Sequence, residues 1–323
     1  MHEARAFWVT APGRGDIRTQ RLRSPQRGEV LVRTRRSAVS RGTETLVFRG
    51  EVPESEWSRM RCPFQEGDFP APVKYGYSAV GVVENGPAGI IGRRVFCLRP
   101  HQDWFIVPFD AVVEIPDAVP DRRAALAANM ETAINGIWDA KPGPGDRIAV
   151  IGAGAVGCLA AALAARLPGA EVELIDIDPA RGSIAAALGC HFATPENPTP
   201  EADVVVHASG SPAGLDTALT IAGPEATVIE MSWYGTRAVP VMLGGAFHSR
   251  RLTLRSSQVG AVPADRRPRW PHRRRLALAL SLLRDSIFDV LLSGETAFFD
   301  LPALMPWLAA SPAGVLCHTL SYD

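Results

Sequence analysis

Residues 147–181 read RIAVIGAGAVGCLAAALAARLPGAEVELIDIDPAR, and this stretch decides the fold. An apolar strand, Ile148–Ile151, runs straight into Gly152-Ala-Gly154-Ala155-Val156-Gly157, which opens an alanine-rich helix. Each glycine has a physical task in such a turn: the first permits the tight bend, the second lets the backbone approach a pyrophosphate, and the third lets helix and strand pack closely. Ala155 and Val156 then carry free N–H groups at the helix N-terminus, where phosphate is well held. The next strand ends in LIDID and puts Asp176 19 residues beyond Gly157, where an acid meets the hydroxyls of an adenosine ribose. A carboxylate there repels a 2′-phosphate, so the expected cofactor is NAD(H), with NADP(H) the lesser alternative. Arg181 bears on the same choice, since a guanidinium at the ribose edge either stacks on adenine or attracts that phosphate.

Working outward, DVVVHAS, a helix from about Pro212, and ATVIEMS continue the alternation of strand and helix that defines a doubly wound parallel sheet. Upstream, DRRAALAANMETAINGIWDA has helical spacing with Asp121 as N-cap, and KPGPGD ends it. From Ala4 to about Pro116 the pattern is different: short strands (ARAFWV, GEVLVRTRRSAVS, SAVGVVENG, GRRVFCL, DWFIVP, AVVEIP) separated by Gly and Pro, as in an antiparallel barrel. A polar, Pro-broken segment, residues 49–77, interrupts them; ordered loops of that length are often functional, and it is expected to help form a cleft. RRRLALALSLLRDSIFDVLL and LPALMPWLAA read as helices and VLCHTLSYD as a last strand. The expected organisation is an α/β protein: a barrel-like domain from residues 1–120 and 290–323, and a dinucleotide-binding domain from residues 121–289.

Composition narrows the function. The 323 residues carry 34 basic and 34 acidic side chains, a neutral balance that argues against a nucleic-acid or polyanion binder. No apolar run approaches the roughly 20 residues of a membrane helix, and the N-terminus lacks a secretory core, so a cytoplasmic protein is expected. Five scattered cysteines, without a C-x-x-C pair, read as buried free thiols. The run RRPRWPHRRR, Arg266–Arg275, reads as a solvated helix start.

The order of these parts resembles the medium-chain dehydrogenase/reductase family, the group of zinc-type alcohol, sorbitol and threonine dehydrogenases. GEVLVRTRRSAVSRGTETLVFRG is similar to that family's strand and Cys-Gly-Thr-Asp turn, KYGYSAVGVVENG to its Gly-His-Glu segment, and GRRVFCL with DWFIVPFDAVVEIPD to its Gly-Asp-Arg-Val and Val-Pro strands. The resemblance implies a GroES-like antiparallel barrel as catalytic domain, a Rossmann domain, and hydride transfer in a cleft between them, acting on a small-molecule alcohol or carbonyl. It also implies a homodimer joined through strands such as ATVIEMS. The turn Ser40-Arg-Gly-Thr-Glu44 is further similar to bacteriochlorophyllide hydroxyethyl dehydrogenases.

The zinc that the resemblance implies lacks most of its ligands. Ser40 or Arg41 stands at the Cys position and Tyr77-Ser78 at the His-Glu position, while Glu131 alone matches the third. Hydroxyls and guanidinium are poor zinc ligands, so charge on a reacting oxygen would fall to hydrogen-bond donors or acids. The candidates are Tyr77 as donor, Thr43 as proton relay, Glu131 and Glu44 as carboxylates, and His101 as acid/base. Tyr77 also reads as a core tyrosine, Glu44 as a helix cap and His101 as a surface residue. Arg41 is expected to approach the cofactor phosphates, together with Gly152, Gly154 and Gly157. Two other readings stay open: a zinc-independent quinone or enone reductase, and an inactive NAD-binding protein.

Overall fold

A computed structural model describes residues 2–310 and 312–323. They form two compact units, the first running to Ala128 and taking in Leu276–Asp285 and Leu292–Asp323, the second comprising Asn129–Arg275 and Ser286–Leu291. Residues 121–128 therefore pack with the barrel-like unit, eight positions beyond the boundary expected at 120; the Ser78 hydroxyl donates to the Ala125 carbonyl at 2.7 Å and is one of the ties.

The first unit opens with β1 (His2–Ala11), β2 (Arg14–Leu22), β3 (Glu29–Val39), α1 (Arg41–Arg49), β4 (Glu66–Gly67), β5 (Val73–Lys74), β6 (Ala79–Asn85), β7 (Arg94–Cys97), β8 (Trp104–Pro108), β9 (Val112–Glu114) and α2 (Asp121–Ala124). Inward positions such as Val30, Val32, Val83, Val95, Phe105 and Val107 alternate along their strands and build its core. β2 carries no such signal: RGDIRTQRL has no buried position, and it is a strand because it zips antiparallel onto β1 from His2↔Leu22 to Ala11↔Arg14.

The second unit holds α3 (Ala127–Ala140, which begins in the first), β10 (Arg147–Ile151), α4 (Ala155–Ala164), β11 (Glu171–Ile175), α5 (Gly182–Ala187), β12 (His191–Ala193), β13 (Ala202–His207), α6 (Pro212–Ile221), β14 (Ala222–Glu230) and β15 (Thr253–Ser256). Its sheet is parallel throughout, ordered β12-β11-β10-β13-β14-β15. The chain builds outward from β10 to β12 and then returns to β13, so strand order reverses between β10 and β13; ligands of such sheets bind at that point, beyond the carboxyl ends of the strands.

After α7 (His272–Leu282), β16 (Leu292–Ala297), α8 (Leu301–Ala309) and β17 (Cys317–Ser321) complete the first unit. β17 pairs antiparallel with β3, giving a sheet ordered β16-β17-β3-β6-β7-β9 with β8 also on β3, beside a smaller sheet β2-β1-β5-β4. No described helix is long and apolar enough to cross a membrane. All five cysteines are buried and free. Burial pushes the thiols of Cys62, Cys97, Cys158 and Cys317 up to about 12 and that of Cys190 up to about 11. Because the thiolate is the reactive form, the native protein at pH 8 is expected to show no fast thiol by disulfide-reagent titration, against five per chain in denaturant. A rapid native thiol would contradict this packing.

Candidate cofactor cradle and candidate active site

The glycine turn has the geometry that its sequence implies. A side chain on Gly157 would put Cβ 1.9 Å from the Gly152 carbonyl oxygen, and Gly152 itself has φ +101° with its Cβ position 2.6 Å from the Ser209 backbone. At Gly154 a Cβ meets nothing within 4 Å, so the space above the second glycine is open. Gly154 caps α4 without a side-chain hydrogen bond, leaving the first N–H groups of the helix, at Ala155 and Val156, free of intrahelical partners. This is the anion seat a dinucleotide pyrophosphate needs, and the residues fit that cofactor.

Asp176, at the end of β11, is tied to this turn: Oδ2 accepts from Ala153 N–H at 2.6 Å and Oδ1 from Asp178 N–H at 2.9 Å. An ionised carboxylate has about four acceptor positions, so lone pairs remain for two ribose hydroxyls. Arg181 is buried, with Nε 3.4 Å from Asp178 Oδ2.

In the first unit, α1 and the β5–β6 connection bring most of the other candidates together. Tyr77 is half-buried; burial and the Glu44 carboxylate push its hydroxyl well above the ordinary tyrosine range, while hydrogen bonding with the Ser40 and Thr43 side chains pulls the other way. It therefore stays protonated, a donor at any ordinary pH. Glu44 is buried, accepting from Ser40 N–H on Oε1 at 2.7 Å and facing His101 Nε2 on Oε2 at 2.8 Å. It thus caps its helix and partners a histidine at once. His101 is 1% exposed, which overturns its surface reading. Its Nδ1 lies 2.8 Å from Ser37 Oγ, which is 3.0 Å from the hydroxyl of the half-buried Tyr322, so a line of contacts runs Glu44–His101–Ser37–Tyr322. With Glu44 an acceptor, Nε2 carries the ring proton and Nδ1 accepts from Ser37. Ser37 and Tyr322 gave no sign in the sequence: one is an inward position of a strand, the other lies at the far end of the chain.

Two candidates are placed elsewhere. Arg41 donates through Nη1 to the carbonyls of Pro312 at 3.1 Å and Val315 at 2.8 Å, holding the C-terminal segment rather than waiting for a phosphate. Glu131, expected as a catalytic carboxylate, belongs to the second unit and is 3% exposed, with Oε1 3.0 Å from Arg275 Nε. Arg275 also donates to Asn135 Oδ1 and, at 2.6 Å, to the Val259 carbonyl. Burial raises the Glu131 carboxyl and the guanidinium opposes that. The last arginine of the Arg266–Arg275 run is therefore fully buried, because a carboxylate on α3 waits for it.

The catalytic zinc of the family does not fit this donor set. Ser40 and Tyr77 offer hydroxyls, the Ser78 hydroxyl is spent on Ala125, and Glu131 is neutralised by Arg275. Among the described residues, no group of three or more His, Cys, Asp and Glu side chains is arranged to hold a metal ion.

A parallel sheet with this strand reversal, a glycine turn at its centre and an acid after β11 are the parts with which nicotinamide-dependent oxidoreductases hold their dinucleotide. No family model matches the chain. It is 26% identical over 320 residues to D-guloside 3-dehydrogenase of Escherichia coli, covering 88% of this chain and 87% of that protein. L-idonate 5-dehydrogenase of Escherichia coli superposes with a TM-score of 0.82 at 17% identity, covering 99% of each chain. An alcohol dehydrogenase of Escherichia coli CFT073, solved in complex with NADH, superposes with a TM-score of 0.77 at 16% identity over the whole of both chains. In sequence and in fold the chain is similar to dehydrogenases of the zinc-type alcohol, threonine and sugar-alcohol group, and it differs from the resembled pattern at the zinc-ligand positions.

Proposed function

We propose that this chain is an NAD(H)-dependent oxidoreductase of small alcohols or carbonyl compounds that stabilises charge on the reacting oxygen with hydroxyl donors in place of a metal. The observation that carries the reading is the grouping of Ser40, Thr43, Glu44, Tyr77 and His101, with Ser40 and Tyr77 standing where the resembled family has metal ligands. The bound nicotinamide supplies or accepts the hydride. Tyr77 donates a hydrogen bond to the substrate oxygen, and because an alkoxide is far more basic than a phenol, it takes that proton as reduction completes. The Ser40 and Thr43 hydroxyls relay a proton taken up from solvent to Tyr77, each passing one on as it receives one, and the buried Glu44–His101 pair fixes the turn that presents them.

Asp176 supports NAD(H) over NADP(H): its carboxylate is held beside the glycine turn by the Ala153 and Asp178 N–H groups, where it would repel a 2′-phosphate, and Arg181, the residue able to favour one, is engaged by Asp178. The same feature argues against an NADPH-preferring quinone or enone reductase. Fluorescence titration should give NADH an affinity at least about tenfold above NADPH, and activity should survive chelators. Tyr77→Phe should lower kcat by roughly 100-fold, the scale of one lost oxyanion donor, with NADH affinity unchanged. NADPH preference, chelator-sensitive turnover, or a fully active Tyr77→Phe enzyme would each overturn part of this reading.

A further inference from the structure

A cavity of about 420 Å³ in the first unit has no part in the reading above, and charged side chains alone line it: Arg35, Arg36, Arg94, Asp121, Arg122 and Glu295. Four elements bring them together. Arg35 and Arg36 are consecutive on β3, where side chains ordinarily alternate between the two faces. Thr34 pairs with Gly81 and Arg36 with Val80, so Arg35 is an extra residue, a β-bulge, and bulges re-aim side chains. Two neighbouring arginines can thereby line one cavity. Arg94 opens β7, Asp121 and Arg122 open α2, and Glu295 comes from β16.

The protein engages these arginines unequally. Arg94 is fully occupied: Nη1 donates to Asp121 Oδ1 at 2.7 Å and to the Val119 carbonyl at 2.9 Å, and Nη2 donates to the Pro116 carbonyl at 3.1 Å. Arg36 donates through Nη1 to the exposed Asp323 carboxylate at 2.7 Å, and its Nε lies 3.3 Å from Glu295 Oε2. Arg35 and Arg122 have only carboxylates that another arginine already holds. Arg35 Nε is 3.1 Å from Asp121 Oδ2, and Arg122 Nε is 4.0 Å from Glu295 Oε2. Among the described residues nothing accepts from their Nη groups, and both side chains are nearly half exposed. Four guanidinium groups thus meet three carboxylates in a chain that is neutral as a whole. A guanidinium stays charged at every ordinary pH, so the local excess is permanent.

We propose that this cavity binds a compact oxyanion of the phosphate or pyrophosphate class, held between the Nη groups of Arg35 and Arg122. A lining without apolar surface offers little to a neutral alcohol or carbonyl compound, whereas a planar fork of N–H donors matches a pair of phosphate oxygens. A phosphate group carries its charge and three acceptor oxygens on one centre, so it can face two forks at once; a carboxylate has a single pair of oxygens to offer. The bound anion joins β3 to α2, so it stabilises the first unit. The site needs neither the cofactor nor the chemistry proposed above.

Calorimetric titration of the full chain with sodium pyrophosphate at constant ionic strength is expected to show a site with Kd below about 1 mM. Arg122→Ala and Arg35→Ala should each weaken it at least about tenfold, the scale of a lost charge-assisted hydrogen bond. Arg27→Ala, which removes an exposed arginine outside the cavity, should leave it unchanged. Asp121 keeps Arg94 and Glu295 keeps Arg36 in these variants, so neither leaves a carboxylate without a counter-ion, and both should melt with the parent in sodium chloride. Saturating pyrophosphate should raise the melting temperature of the parent by about 3 °C or more and that of Arg122→Ala by much less. An equal rise in both would be the general stabilisation that such salts give through exclusion from protein surfaces, and it would overturn the assignment. So would undiminished affinity in Arg122→Ala, which would seat the pyrophosphate elsewhere, for example at the glycine turn. Absence of binding at about 10 mM, or tighter binding of malonate than of pyrophosphate, would overturn it as well.

Discussion

Gly157→Ala is expected to abolish NADH binding at the concentrations where the unmodified protein saturates, an affinity loss of at least about 100-fold, or ~2.7 kcal/mol. The methyl group would stand 1.9 Å from the Gly152 carbonyl oxygen, and that neighbour is backbone, so no rotamer relieves the contact. Either β10 and α4 separate or the turn reshapes. The same carbonyl belongs to the residue whose φ is +101°, so the strain passes directly into the phosphate seat. Overpacking of this kind destabilises by about 1–3 kcal/mol, which should appear as a lower melting temperature of the second unit. Gly154→Ala is the control: its Cβ meets nothing in the protein, so stability should hold while the added methyl intrudes on the bound pyrophosphate. Undiminished NADH binding by Gly157→Ala would mean that the turn is not the cofactor seat.

Arg275→Ala should be the most destabilising of the surface-charge-like substitutions, by about 3–5 kcal/mol, because it strips a buried carboxylate of its counter-ion. It also orphans Asn135 Oδ1 and the Val259 carbonyl, both of which now take guanidinium N–H groups. At roughly 2–4 °C per kcal/mol the melting temperature should drop by about 10 °C. The pH dependence has a definite sign. Burial already raises the Glu131 carboxyl above its unfolded value, and without Arg275 nothing opposes that. A raised folded-state pKa favours the fold below the unfolded value and loses that advantage as pH rises through the folded one. The gap between Arg275→Ala and the unmodified protein should therefore be widest at alkaline pH and narrow on acidification, and Glu131→Gln in the same chain should flatten it. A variant melting within 2 °C of the parent at every pH would show that the pair is dispensable, on the same scale of ~2–4 °C per kcal/mol.

What could be read from the chain alone was whatever depends on near neighbours. The strand β10, the glycines and Asp176 lie within 35 consecutive residues, and their meaning follows from local geometry: a turn only glycine can make, a helix that starts there, and one strand length to the acid. Apolar alternation likewise marked β3, β6 and β8, whose inward faces form a core. β2 was invisible because hairpin pairing, not burial, makes it a strand.

Side-chain partnership was a different matter, since it joins residues far apart in sequence. Glu131 and Arg275 are 144 positions apart; each alone looked like a catalytic acid and a solvated cation, and together they neutralise one another inside the second unit. His101 looked like a surface residue until Glu44 and Ser37, 57 and 64 positions away, took up its two nitrogens. Arg41 seemed free for a phosphate, but carbonyls more than 270 positions on hold it. The sequence by itself determined the class of cofactor, because backbone geometry is a local property. The tertiary structure alone decided which polar groups are available for chemistry, because burying a charge is tolerable only beside a partner, and partners are assigned by the fold.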